Sequence, residues 1–134
     1  MKTKSQISVD FIIVVALMLI IFLAIFRISV SRTGELYGSQ QFLNAKTIAD
    51  TTAFHINSVF LAGHGTVKSL YLPEGLSDGT PYTLTIYPAA RIVEIRWGDR
   101  NYASPIVTSK VRGALNLPYG SIDIKNDMDE VIAE

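Results

Sequence analysis

The chain lacks several residues and patterns on which common functions depend. It has no cysteine, so it can form neither a disulfide nor a thiolate metal site. Basic and acidic side chains both number 12, so there is no positive surplus of the kind that binds nucleic acid. It also has no Asn-x-Ser/Thr sequon, no internal repeat and no low-complexity tract. We therefore predict no nucleic-acid partner and no disulfide-stapled domain.

Residues suited to catalysis or metal binding are also sparse. The two histidines, His55 and His64, have no acid nearby at the spacing of metal ligands. Asp127, Asp129 and Glu130 resemble a calcium-binding run, but the central glycine and distal glutamate of a calcium loop are missing, which favours a solvated tail. No serine lies in a nucleophile-elbow context. The sequence predicts no enzyme, no cofactor and no metal site.

What the chain does have is a long apolar run near its N-terminus. Residues 11–26 contain no charged or polar side chain, and as a helix they would extend ~24 Å, slightly short of a typical bilayer span. Lys2 and Lys4 precede the run and Arg27 follows it, within reach of the interface by snorkelling. The leading lysines favour a cytoplasmic N-terminus and an outer C-terminal part.

Three interpretations compete for this run. A cleaved secretory signal should end in small residues, whereas residues 27–32 carry two arginines. A plain membrane anchor requires no motif and gains nothing from an acid beside its core, because a carboxylate in hydrocarbon is costly. Asp10 directly precedes Phe11, so a third interpretation is a segment that leaves the membrane to pack against copies of itself.

The residues Gln6-Ile7-Ser8-Val9-Asp10-Phe11, after a short basic leader, resemble the class III signal peptide of archaeal type IV pilin-like proteins. The matching positions of the motif are Gln6, Ser8, Asp10 and Phe11. The family more often has glutamate where this chain has Asp10, and glycine or lysine where it has Ser5. The resemblance covers about the first 30 residues and implies cleavage between Ser5 and Gln6 by a prepilin peptidase.

The resemblance also implies partners and a location. A pilus assembly ATPase and a membrane platform protein would lift the processed helix out of the membrane into a homo-oligomeric filament at the cell surface. There Asp10 would neutralise the Gln6 amine of a neighbouring copy. The alternatives are a single-span membrane-anchored extracytoplasmic binding module, or a minor or priming pilin.

Beyond the apolar run, helical periodicity continues to about residue 62 and marks two apolar stripes. The first stripe comprises Phe42, Ala45, Ala49, Ala53, Ile56, Val59 and Phe60. The second, which we call the outer stripe, comprises Leu36, Leu43, Phe54 and Leu61. We predict that the first stripe packs on the chain's own sheet and that the outer stripe faces other subunits. The competing hypothesis is that one molecule covers both stripes.

From residue 66 the apolar period changes to two, which is typical of strands. Strands are predicted at residues 67–72, 82–87, 92–97, 102–108, 111–117 and 121–125, followed by a frayed acidic tail. The predicted fold is α+β, with a long N-terminal hydrophobic helix packed at its outer half on a small antiparallel sheet of four to six strands. Its parts are a leader at 1–5, a core helix at 6–32, an amphipathic helix at 33–62 and a sheet domain at 63–134.

Overall fold

The computed structural model describes the backbone of residues 3–134 and the side chains of residues 9–30 and 37–134. Helix α1 spans Thr3–Ala62 and eight strands follow it. The predicted α+β class is therefore confirmed. The chain divides into two compact units, Met1–Ser39 and Gln40–Glu134, and α1 contributes residues to both.

The first unit is helical, and its described apolar side chains are exposed. Val9–Val30 is a 22-residue segment that is long and apolar enough to cross a membrane. Such a composition suits a helix whose surroundings are lipid or other apolar helices, because the apolar residues extend around its whole circumference.

The second unit begins with the last part of α1, whose inner face is built on small residues. Ala45, Ala49 and Ala53 are buried, and their short side chains allow the helix backbone to lie close to the sheets. Thr52 is also buried on this face, because its hydroxyl donates to the Ile48 carbonyl at 2.8 Å and needs no other partner. One apolar core joins this face to the strands.

The strands have clear bounds. They are β1 Val67–Leu72, β2 Thr83–Tyr87, β3 Ile92–Trp97, β4 Arg100–Pro105, β5 Val111–Gly113, β6 Asn116–Leu117, β7 Gly120–Asp127 and β8 Glu130–Ala133. The predicted hairpin of residues 82–87 and 92–97 is confirmed, since β2 and β3 pair antiparallel with Leu84 opposite Ile95. The first predicted strand, residues 67–72, coincides with β1.

The strands form two sheets rather than the single predicted sheet of four to six strands. One has the order β1-β7-β8-β5 and the other β4-β3-β2-β6. The predicted strand at residues 111–117 is split, because Gly113 has a φ of +93° and sends the chain from one sheet to the other. One pair, β5 with β8, is parallel.

The prediction of a frayed acidic tail is wrong. Residues 130–133 form β8, which lies between β7 and β5 inside its sheet, and Val131 and Ala133 are buried. A two-residue turn at Met128 and Asp129, both at positive φ, reverses the chain before β8. The acidic side chains point outward, and Glu130 pairs with Arg112 at 2.9 Å.

Candidate assembly surface

The first unit has its own candidate assembly surface, the apolar segment Val9–Val30. Phe11, which belongs to the predicted signal motif, is exposed, and so is Asp10. The side chains of Ser5, Gln6 and Ser8 lie outside the described residues, and so the predicted cleavage site stays a prediction. An apolar side chain left in water costs roughly 1.5–3 kcal/mol relative to burial, so a segment of this length requires lipid or partner helices around it.

The outer stripe belongs to the second unit, apart from Leu36, whose side chain lies outside the described residues. Leu43, Phe54 and Leu61 are 60%, 64% and 74% exposed. The helical repeat places these three within about 20° of one another around the axis. The buried residues Ala49 and Ile56 lie on the opposite side of the same helix, within about 60° of its far point. Within the second unit, the Lys68 ammonium lies 5.7 Å from the centroid of the Phe54 ring, but all three side chains remain mostly exposed. The competing hypothesis, that one molecule covers the stripe, is therefore not met by the second unit for these three residues.

An acidic residue, Asp50, lies among the apolar residues of the outer stripe. The apolar periodicity of the sequence did not predict it. Asp50 follows Leu43 by seven residues and therefore lies on nearly the same line along the helix. Its carboxylate accepts hydrogen bonds from Lys46 at 2.7 Å and from the Tyr102 hydroxyl at 3.1 Å. The Lys46 bond lowers the pKa of Asp50, and the Asp50 bond raises the pKa of Lys46. The acid is therefore charged and paired within its own chain.

Lys46, Asp50 and Tyr102 also connect the helix to β4. Lys46 also donates to the Tyr102 hydroxyl at 2.8 Å, and the Phe42 ring meets the Tyr102 ring edge to face. Because Tyr102 lies on β4, these contacts join this part of the helix to that strand.

A loop borders the outer stripe near Leu43. Asn44 accepts from the Ser77 amide at 3.2 Å, and Gln41 donates to the Asp78 carboxylate. The Gln41 bond, helped by bonds from Thr80, lowers the pKa of Asp78 to about 2. These hydrogen bonds join the loop to the helix, and Leu43 beside them remains exposed.

The two histidines have different surroundings, and the His55 ring meets the outer-stripe Phe54 ring edge to face at 6.1 Å between centroids. Burial, with the nearby Lys68 charge, lowers the pKa of His55, and His64 accepts from the Met128 amide at 3.1 Å. Within residues 9–30 and 37–134, no three histidines or acids come together as metal ligands.

Comparison of the chain with protein-family models, with curated proteins and with solved structures finds no match.

Proposed function

We propose that this chain is the structural subunit of an extracellular type IV pilin-like filament. Two observations together carry the proposal: the segment Val9–Val30 is predominantly apolar and exposed, and the helix of the second unit leaves Leu43, Phe54 and Leu61 largely exposed. A plain anchor accounts for the first feature alone. Copies packed helix to helix would cover both.

The proposed mechanism is packing rather than catalysis. The precursor waits in the membrane with its N-terminus in the cytoplasm and its sheets outside. A prepilin peptidase cuts between Ser5 and Gln6, and an assembly ATPase with a membrane platform protein moves the helix into the growing filament. Asp10 would then pair with the Gln6 amine of a neighbouring copy. Because desolvating two charges is costly, this pair would set the register of the copies more than it would stabilise them.

The N-terminal residue of the protein recovered from cells tests this proposal. We expect mass spectrometry of sheared surface filaments to find a chain that begins at Gln6. Membranes analysed separately should contain the precursor that still carries Lys2. A chain beginning at Met1 or Lys2 and confined to membranes would favour the anchored binding module instead. A processed chain present at low copy number in filaments of another subunit would indicate a minor or priming pilin.

Substitution of the outer stripe gives a second prediction. Leu43→Glu and Leu61→Glu should abolish filaments while leaving the subunit folded and membrane-inserted. Leucine and glutamate have similar helix propensities, and both positions are exposed within the chain, so folding should change by less than about 0.5 kcal/mol. In a packed filament, each glutamate would be an unpaired buried charge.

The matched control is Thr51→Glu, an exposed position on the same helix that lies about 80° away from Leu43 around the axis. Filament yield after shearing, counted by electron microscopy, is the measurement, with the membrane-bound subunit quantified in parallel. If Leu43→Glu and Leu61→Glu give filaments at the yield of Thr51→Glu, the outer stripe is not an assembly surface.

A further inference from the structure

A cavity of about 290 Å³ opens where β2 begins and β3 ends. Its lining includes Pro81, Thr83, Arg96, Trp97 and Tyr119, and we call it the Tyr119 cavity. Neither the apolar segment nor the outer stripe contributes to it. Its volume lies just below the usual range of ligand pockets, roughly 300–1,000 Å³, and therefore suits only a small ligand.

The aromatic wall of the cavity is fixed in place. The Tyr119 hydroxyl donates to the Tyr82 carbonyl, and the two rings meet edge to face at 5.3 Å between centroids. Tyr82 is itself held by a hydrogen bond from its hydroxyl to the Pro73 carbonyl, at 2.7 Å. Tyr119 remains 45% exposed. A ring that is already immobilised loses little conformational freedom when a ligand stacks on it.

The positive charge of Arg96 in the cavity lining is neutralised by a neighbouring carboxylate. Arg96 donates through Nε and Nη2 to the Glu94 carboxylate at 3.0 and 3.3 Å, and Asn101 donates to the same carboxylate at 2.7 Å. The ion pair cancels the positive charge that an anion would require. It also orients the guanidinium, whose remaining N–H groups can still donate, as can the exposed Thr83 hydroxyl.

Trp97 belongs to the lining but contributes little surface that a ligand could touch. It is only 3% exposed, and its ring lies 6.3 Å from the Phe42 ring between centroids, so its side chain is part of the core. Its Nε1 is buried, so a ligand in the cavity does not reach this N–H group.

We infer that the Tyr119 cavity binds a neutral sugar, as a single pyranose ring. The apolar C–H face of the ring would stack on Tyr119, and its hydroxyl oxygens would accept from Arg96 and Thr83. Such a sugar carries no charge, which suits a cavity whose arginine is already paired with a glutamate. Its apolar face suits the tyrosine ring, and its hydroxyl groups suit the hydrogen-bond donors of the lining. The inference does not depend on filament assembly, since a surface subunit and an anchored module could both bind a sugar.

Because Trp97 is the only tryptophan of the chain, its fluorescence reports directly on the cavity. The full chain, in a detergent without a sugar headgroup, is titrated separately with glucose, galactose, mannose and N-acetylglucosamine. We expect a saturable change with at least one of them. Tyr119→Leu should weaken that binding by about tenfold or more, whereas Tyr119→Phe should keep most of it because the ring remains.

Tyr71→Leu is the matched control, since Tyr71 is an exposed tyrosine on β1, outside the cavity lining, and its loss should leave binding unchanged. Thr83→Val, at an exposed position, is a second test that does not depend on Tyr119→Leu folding; it should also weaken binding. The inference is overturned if none of the four sugars gives a saturable change, or if Tyr119→Leu and Thr83→Val both bind like the unsubstituted chain. A saturable response to inorganic phosphate alone would overturn it too, because the site would then select an anion.

Discussion

Removal of residues 130–134 should unfold the sheets of the second unit. These residues form β8 and the Glu134 that follows it, and β8 is an internal strand with β7 on one side and β5 on the other. Without it, β5 loses its only partner strand within its sheet, and β7 loses one of its two. The short acidic ending of the sequence gives no hint of so large an effect.

The size of the effect follows from burial and hydrogen bonding. Val131 is fully buried, which alone contributes about 1.5–3 kcal/mol. The truncation also removes backbone bonds from the Val131 amide to Lys110 and from the Ala114 amide to Ala133, and the pair between Glu134 and Asp123. At about 1 kcal/mol for each bond, the total loss exceeds about 5 kcal/mol, which is comparable to the whole stability of many domains.

Urea unfolding of the full chain in detergent, followed by the fluorescence of Trp97, measures this prediction. The truncated chain should show no cooperative transition. Two point variants sharpen the test, since Val131→Asp places a charge in the core whereas Ile132→Asp places it on the other side of the same strand. We expect Val131→Asp to be the more destabilising by several kcal/mol. A truncated chain with an unchanged unfolding midpoint would show that β8 contributes nothing to the fold.

The second large effect is expected for Gly113→Ala, in β5. Gly113 has a φ of +93°, and a Cβ atom added there would lie only 2.2 Å from the Ala133 carbonyl oxygen on β8. Because that atom belongs to the backbone of an internal strand, it can move only if the β5–β8 pair separates. We expect a loss of about 4 kcal/mol or more, from the unfavourable φ together with the clash.

The substitution Gly79→Ala separates the cost of the unfavourable φ from the cost of the steric clash. Gly79 has a similar φ of +81°, but an added Cβ would meet no atom within 4 Å. This variant should therefore show the backbone cost alone, about 1–2 kcal/mol. The same urea unfolding measurement compares the two. Equal destabilisation by both substitutions would mean that contact with Ala133 is unimportant and that β5 is not held closely against β8.

Much of the architecture could be predicted because it depends on local periodicity. The apolar composition of Val9–Val30 marks a helix suited to an apolar environment whatever follows it. The spacing of Ala45, Ala49 and Ala53 identifies the buried face of the helix, because residues three or four apart share a face. The alternation along β2 and β3 likewise defines their hairpin, since the side-chain period of a strand is two.

The strand β8 could not be predicted in this way. Its turn contains Met128 and Asp129 at positive φ instead of the Asn-Gly pair that usually signals a two-residue hairpin. Its second neighbour, β5, pairs through Val111 and Val131, which are 20 residues apart. A four-residue strand with two buried positions has too short a pattern to be distinguished from a solvated tail.

The sequence by itself therefore determined the elements that depend on neighbouring residues: the apolar segment, the two faces of the outer helix and the central hairpin. The tertiary structure alone decided the division into two sheets, the contact of Tyr102 with Asp50 and Lys46, and the Tyr119 cavity. These features join residues that are distant along the chain. The contacts that stabilise these features exist only after the chain has folded. The local sequence pattern therefore does not predict them.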